Sequence, residues 1–280
     1  MKIRLLCTAL AAMSFVNTYA QAGRSTWGKT NYNGTPWVEN VSRPNEITEG
    51  LQNRHLSVWS SHGRYYDARK GGWKWQRPIL FGTTEDLYTQ TIVLPYLIPM
   101  LEHAGAVVFT PRERDWQKNE VIVDNDGRSS NYKEESLKKK WSDTSVPGFA
   151  QHYGSYNDGE NPFTAGTARQ VKARKRNSKI SSVIYQPTIP ESGRYAVYVS
   201  YLTQKKSVDD AEYIVFHKGQ ETHFRVNQRM GGGTWVYLGT FDFDKGNSIN
   251  NSVVLTNHSS HRGIVTADAV RFGGGMGNIV

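Results

Sequence analysis

Between residues 54 and 125 the spacing of apolar positions changes twice. Leu56, Val58 and Trp59 form a short run that stops at Ser60-Ser61-His62-Gly63, as a strand does when it gives way to a loop. Leu87, Leu94, Ile98 and Leu101 then keep a helical period. Thr83-Thr84-Glu85-Asp86 supplies an N-cap hydroxyl followed by carboxylates in the first turn. Gly105 has the position of a C′ residue. Pro95 and Pro99 predict a kink or a split within the helix. Val107, Val108 and Phe109 make a second strand. A right-handed strand–helix–strand crossover brings the helix N-terminus to the C-terminal edge of the first strand. Ligands of open α/β sheets bind at that edge, so His62 and Glu85 are expected to face one point.

From about residue 149 the pattern becomes one of short strands between turn residues. The runs are 180–186, 193–201, 211–217, 221–227, 235–243, 251–257 and 264–272. Tyr195, Val197, Val199 and Tyr201 alternate with Ala196, Tyr198 and Ser200, as in a strand with one buried face. Regular short strands with Gly and Asn turns predict a β-sandwich. The expected fold class is therefore a partial α/β domain at 23–135 plus an all-β sandwich at 136–274, with 275–280 as a tail. The charged stretch from Tyr132 to Trp141, with Lys138-Lys139-Lys140, reads as the connector. Residues 23–53 read as a polar lead-in, whose Trp27, Tyr32 and Trp37 either stack on sugar rings or pin the loop to the domain.

The first 22 residues have the form of a signal peptide. Lys2 and Arg4 precede a short apolar core, and Thr18-Tyr19-Ala20 offers a small-residue cleavage site. An exported protein is expected: periplasmic, cell-surface or extracellular. No stretch has the length of a transmembrane helix. Removal of Lys2 and Arg4 lowers the formal charge from +9 to +7. That balance favours anionic partners such as cell-wall polymers, and no nucleic-acid-binding motif accompanies it. Cys7 is the single cysteine, so any metal in the mature chain would rest on His and carboxylate ligands.

A neutral imidazole and a carboxylate are two of the three protein ligands of a catalytic Zn²⁺. His62 and Glu85 fit that role, or are simply a loop histidine and a helix-capping acid. Between them, Tyr65, Tyr66, Trp73 and Trp75 interleave with Arg64, Arg69, Lys70, Lys74 and Arg77. Aromatic faces pack on sugar C–H faces and guanidinium groups hold carboxylates. The segment is thus either a substrate-binding lid or a surface hairpin with its own small core. Asp124-Asn125-Asp126-Gly127 reads as a plain turn, because it lacks the later ligands of a calcium loop. His258 and His261 have a loose metal-like spacing but fall in a turn between the last two strands.

The SSHG turn, the acid opening the helix and the strand exit Val107-Val108-Phe109-Thr110-Pro111-Arg112-Glu113-Arg114-Asp115 resemble the first half of a zinc-dependent N-acetylmuramoyl-L-alanine amidase. The resemblance spans about residues 54–125. It implies that His62 and Glu85 are the first two Zn²⁺ ligands, and that the substrate is peptidoglycan. Arg64 and Arg112 would hold a substrate carboxylate, beside Trp73 and Trp75. No histidine after Asp115 lies in the motif that supplies that family's third ligand. A second resemblance covers the sandwich. Asn227-Gln228, the run from Gly231 to Gly239, and Ala267-Asp268-Ala269-Val270-Arg271-Phe272 resemble the golvesin/xanthan-lyase-type module, which implies carbohydrate binding or surface display. Within it, the Gly231-Gly232-Gly233 turn lets the chain come close to a neighbour. Trp235 is expected to pack the sandwich, and Asp268 and Arg271 to bond to each other or to backbone.

The leading expectation is an exported, cell-wall-associated, amidase-like protein carrying a glycan-binding module, with its catalytic half incomplete in these 280 residues. The alternatives are a non-catalytic carbohydrate-binding or surface protein, and a polysaccharide lyase of the xanthan lyase type.

Overall fold

The inward-facing apolar residues of two antiparallel sheets make the main core. In this computed structural model the described residues are 34–47, 50–60, 62–67, 69–111, 114, 116–127, 131–152, 157 and 159–274. The expected signal peptide, Trp27, Tyr32, Arg112 and the 275–280 tail lie outside them.

The strands in chain order are β1 (Val38–Asn40), β2 (His55–Ser57), β3 (Arg64–Asp67), β4 (Gly72–Trp75), β5 (Val107–Phe109), β6 (Glu120–Asp124), β7 (Tyr132–Glu135), β8 (Ser142–Asp143), β9 (Arg169–Lys172) and β10 (Ser182–Tyr185). They continue with β11 (Thr188–Ile189), β12 (Gly193–Val199), β13 (Ala211–His217), β14 (Gln220–Val226), β15 (Val236–Phe243), β16 (Gly246–Asn247), β17 (Ser252–Thr256), β18 (Ile264–Ala267) and β19 (Ala269–Gly273). One sheet has the order β1-β14-β13-β17-β10-β7 and the other β15-β12-β19-β6. Val183, Tyr213, Val215, Phe224 and Leu255 from the first meet Val123, Tyr195, Val197, Phe243 and Phe272 from the second in one buried cluster. These β-branched and aromatic residues suit a pleated, buried surface.

Four features depart from the sequence expectation. β1, β6 and β7 all belong to the sandwich sheets, so the boundary expected between 135 and 136 falls inside the sandwich. Tyr132 to Trp141 is accordingly a solvated connector only in its middle, where Ser136, Leu137, Lys138 and Lys140 are exposed. Its first four residues pair with β10, and Trp141 is buried with its indole N–H donating to the Ser182 carbonyl. β12 is buried on both faces. Tyr198, on the face expected to meet solvent, packs on Tyr237 and accepts a hydrogen bond from the Arg114 backbone N–H at 2.9 Å. The run 264–272 is two strands. Asp268 interrupts it, accepting from the Phe149 N–H at 2.9 Å and the Ser200 hydroxyl at 2.6 Å. β18 then pairs with β9 in a separate three-stranded sheet, while β19 enters the four-stranded one.

The expected partial α/β domain is reduced to a small element. β2 and β5 pair in parallel, joined by helix α1 (Glu85–Ile92), a π-helical turn at Val93–Leu97 and helix α2 (Ile98–His103). The Thr84 hydroxyl accepts from the Leu87 N–H, closing the expected N-cap. Pro95 lies in the π turn and Pro99 opens α2, so the prolines divide the helix where their missing N–H groups demand it. Gly105 has φ +99°, and a Cβ there would lie 2.9 Å from the Gln52 backbone. Leu94, Ile98, Ala106 and Val108 form a second, smaller core. Two strands and one broken helix are not an amidase-type sheet, and most of the chain is sandwich. No helix among the described residues is long and apolar enough to cross a membrane.

Candidate functional site

The strand edges β1 and β15 and the strand β5 enclose a cleft of about 600 Å³. Its walls combine Trp37, Tyr198, Trp235 and Tyr237 with Asn40, Arg43, Gln52 and Arg114. Each aromatic is fixed by its own contacts. The Trp37 indole N–H donates to the Tyr201 hydroxyl at 2.6 Å, its ring stacks on Phe109, and its backbone N–H donates to His55 Nε2 at 2.9 Å. Gly231, with φ +68°, passes so close beneath the indole that a Cβ there would lie 2.0 Å from Cζ2 of Trp37. Trp37 is thus the neighbour that the triple-glycine turn approaches. Trp235 packs against Phe149 and Phe163, which fits its expected packing role while leaving it in the cleft wall.

Arg114 ties the small α/β element to the sandwich at the cleft. Its guanidinium makes a two-bond fork to the Glu102 carboxylate at 2.7 and 2.8 Å and lies 3.9 Å from the centroid of the Tyr237 ring. Burial works against the charge, but the hydrogen bonds donated to Glu102 outweigh it and hold the guanidinium pKa above its ordinary value. Glu39 and Arg225, also in the wall, pair with each other at 3.5 Å. The cleft therefore presents ring faces and hydrogen-bonding groups with little net charge.

The site predicted at the sheet edge is a different place. His62 Nδ1 lies 3.8 Å from Glu85 Oε1 and 3.7 Å from Asp86 Oδ1, so the crossover brings the two residues together. Sequence reasoning missed Asp86 and Arg77. Asp86 is buried, and its Oδ1 has no hydrogen-bond partner. Arg77 Nε and Nη2 approach His62 Nδ1 and Nε2 at 3.1 and 2.9 Å. A neutral imidazole accepts at one nitrogen only, so one of these is the hydrogen bond. A guanidinium cation thus already faces the histidine where a Zn²⁺ would bind. Arg64 and Trp75 stand on the β3–β4 hairpin, with the guanidinium 5.6 Å from the indole. Neither lines the cleft, and the Trp73 side chain lies outside the described set. His258 and His261 turn to different partners: His258 to Glu212 at 3.8 Å, and His261 to Asp209 at 2.8 Å. Arg271 donates to the carbonyls of Gly273 and Gly274 and pairs with Glu120. Asp268 and Arg271 thus bond to other groups, as the backbone alternative anticipated.

The Golvesin C-terminal domain profile matches residues 121–274. A xanthan lyase from Bacillus sp. (strain GL1) is 37% identical over 93 residues. That stretch is 32% of this chain and 10% of the lyase, so only a small part of the relative is represented. Among solved structures, a Paenibacillus xanthan lyase covers 56% of this chain and 13% of its own, with 24% identity and a TM-score of 0.41. The C-terminal family 6 carbohydrate-binding module of a Zobellia galactanivorans laminarinase covers 55% of this chain and 99% of its own, at 16% identity and a TM-score of 0.32.

Proposed function

The chain belongs to the Golvesin C-terminal domain family, and we propose that it is an exported carbohydrate-binding protein whose glycan occupies the cleft between β1 and β15. The observation that carries this reading is the composition of the cleft wall. Four fixed aromatic side chains stand beside Asn40, Gln52 and Arg43. Aromatic faces bury the C–H face of a pyranose, and amide and guanidinium groups satisfy its hydroxyls. Rings locked before binding lose little further freedom when the sugar arrives. The internal pairing of Arg114 with Glu102 and of Arg225 with Glu39 favours a neutral stretch of glycan in the cleft. The positive charge of the chain favours an anionic polymer around it. The likeness to part of xanthan lyase supports a polysaccharide ligand and carries no lyase activity with it. Affinity electrophoresis against xanthan, peptidoglycan fragments and neutral β-glucans tests the reading. At least one polymer should retard the protein, and Tyr237→Ala and Asn40→Ala should weaken that retention by about tenfold or more with an unchanged circular dichroism spectrum. Retention that survives both substitutions, or none with any polymer, rejects the cleft.

A second reading rests on Asp86. Its buried, unpartnered oxygen beside His62 and Glu85 supplies a third donor to the set implied by the amidase resemblance. A Zn²⁺ held there would polarise a carbonyl and activate water for amide hydrolysis of peptidoglycan. It would first have to displace Arg77 from His62.

A further inference from the structure

Outside both of these sites, Asp209, Asp210 and His261 bring their donor atoms within 4.8 Å of one another. Asp209 and Asp210 immediately precede β13, and His261 lies in the turn between β17 and β18. Each carboxylate is oriented from behind. Arg229 Nη1 holds Asp209 Oδ2 at 2.9 Å, and the Thr35 hydroxyl donates to the same oxygen at 3.3 Å. Asp210 accepts from the Ser259 and Ser260 hydroxyls and, at 2.8 Å, from the Ser260 N–H. The remaining Asp209 oxygen, Oδ1, points into the cluster. Asp209 is 8% exposed, and this atom has no hydrogen-bond partner. His261 Nδ1 lies 2.8 Å from it and 3.7 Å from Asp210 Oδ2. The short contact lacks hydrogen-bond geometry, so it is either a charge contact or a pair of donors aimed at one centre.

We propose that Asp209, Asp210 and His261 form a binding site for a divalent transition-metal cation of the Zn²⁺ class, which clasps the β17–β18 turn to the segment before β13. Ligand spacing supports the assignment. Bonds of about 2.0–2.2 Å in a tetrahedron separate adjacent donors by roughly 3.3 Å, and 2.8 and 3.7 Å bracket that value. Imidazole with two carboxylates suits Zn²⁺, whereas Ca²⁺ takes six to eight oxygens. Arg229, Thr35, Ser259 and Ser260 form the outer set of hydrogen bonds that metal-binding carboxylates need. The His261 side chain is 53% exposed, which gives the ion a path in and leaves the remaining coordination to water.

The test is calorimetric titration of the chelator-stripped full chain with ZnCl₂, alongside thermal melts with and without the metal. The wild type should bind one Zn²⁺ at this site and melt at a higher temperature when loaded. His261→Ala removes an exposed ligand without disturbing the core, and should weaken that binding by about tenfold to a hundredfold or more. Asp209→Asn should do the same, while His62→Ala should leave it intact. Three results overturn the proposal. One is titration of the wild type without heat or melting shift. Another is Zn²⁺ binding that persists in His261→Ala and vanishes in His62→Ala. The third is Zn²⁺ binding that is unchanged in both His261→Ala and Asp209→Asn.

Discussion

Replacing Arg114 by Met isolates the link between the small α/β element and the sandwich. Methionine keeps most of the apolar stem and removes the guanidinium. The Arg114 side chain is 7% exposed and that of Glu102 is 27% exposed. Three contributions disappear together. Two charge-assisted hydrogen bonds to Glu102 are lost, a class worth about 1.5–3 kcal/mol each. The cation–ring contact with Tyr237 adds roughly 0.5–2 kcal/mol. Against this, removing the charge relieves its desolvation, and Glu102 regains water because it is not fully buried. The net expectation is a loss of about 2–3 kcal/mol. The loss should be local, because among the described residues β2 and β5 pair only with each other. Amide exchange at Val58 and Val107, whose N–H groups donate to the Phe109 and Arg54 carbonyls, should therefore accelerate about 30- to 150-fold, while β12 and β13 keep their protection. Glu102→Gln in the same background should add little, since its partner is already gone. A change below about 0.5 kcal/mol, or a loss spread evenly over the sandwich, would refute the reasoning.

Two further outcomes follow from buried groups and strand order. Burial, aided by neighbouring carboxylates, pushes Asp124 up to about 7, and burial also pushes Asp268 up to about 6. Both folded-state values lie above the unfolded one, so their stabilising contribution is complete below about pH 4 and is lost as pH rises through 6 and 7. Urea midpoints should fall between pH 5 and 8, and Asp124→Asn should flatten that slope and raise the unfolding free energy at pH 8 by roughly 1–3 kcal/mol; a midpoint that rises with pH contradicts the assignment. A fragment of residues 116–274 should melt cooperatively with a β-type spectrum, whereas one of 140–274, deprived of β6 and β7, should not, and equal melting of the two would show that these strands are dispensable.

Most of the strand runs after residue 149 are legible because their apolar positions alternate or cluster between turn residues. Ala211 to His217 appears residue for residue. β7 was not legible, because Lys133, Glu134 and Glu135 signal solvent and its place at a sheet edge requires little burial. The double burial of β12, and of Ser200 just after it, is not legible because a tyrosine and a serine suit solvent as well as a core. Only the long-range approach of the Arg114 backbone and of Asp268 reveals what covers them. The meeting of His62, Glu85 and Asp86 follows from a crossover rule that acts locally. The cleft follows from no local rule, since its walls are joined by the pairing of residue 38 with residue 226.

That pairing spans 188 residues and sets an order of events during synthesis. At about 5–20 residues per second, Val38 leaves the ribosome roughly 10–40 s before its partner exists. β1 must wait as unpaired chain until β14 emerges, and its pairing carries the high loop entropy of such distant contacts. Its sequence suits the wait. Thr35-Pro36-Trp37-Val38-Glu39-Asn40 places a proline, a charge and an amide around a single aliphatic residue, which discourages pairing with other chains. The cleft wall therefore cannot be completed before β14 has been made, however early its first strand leaves the ribosome.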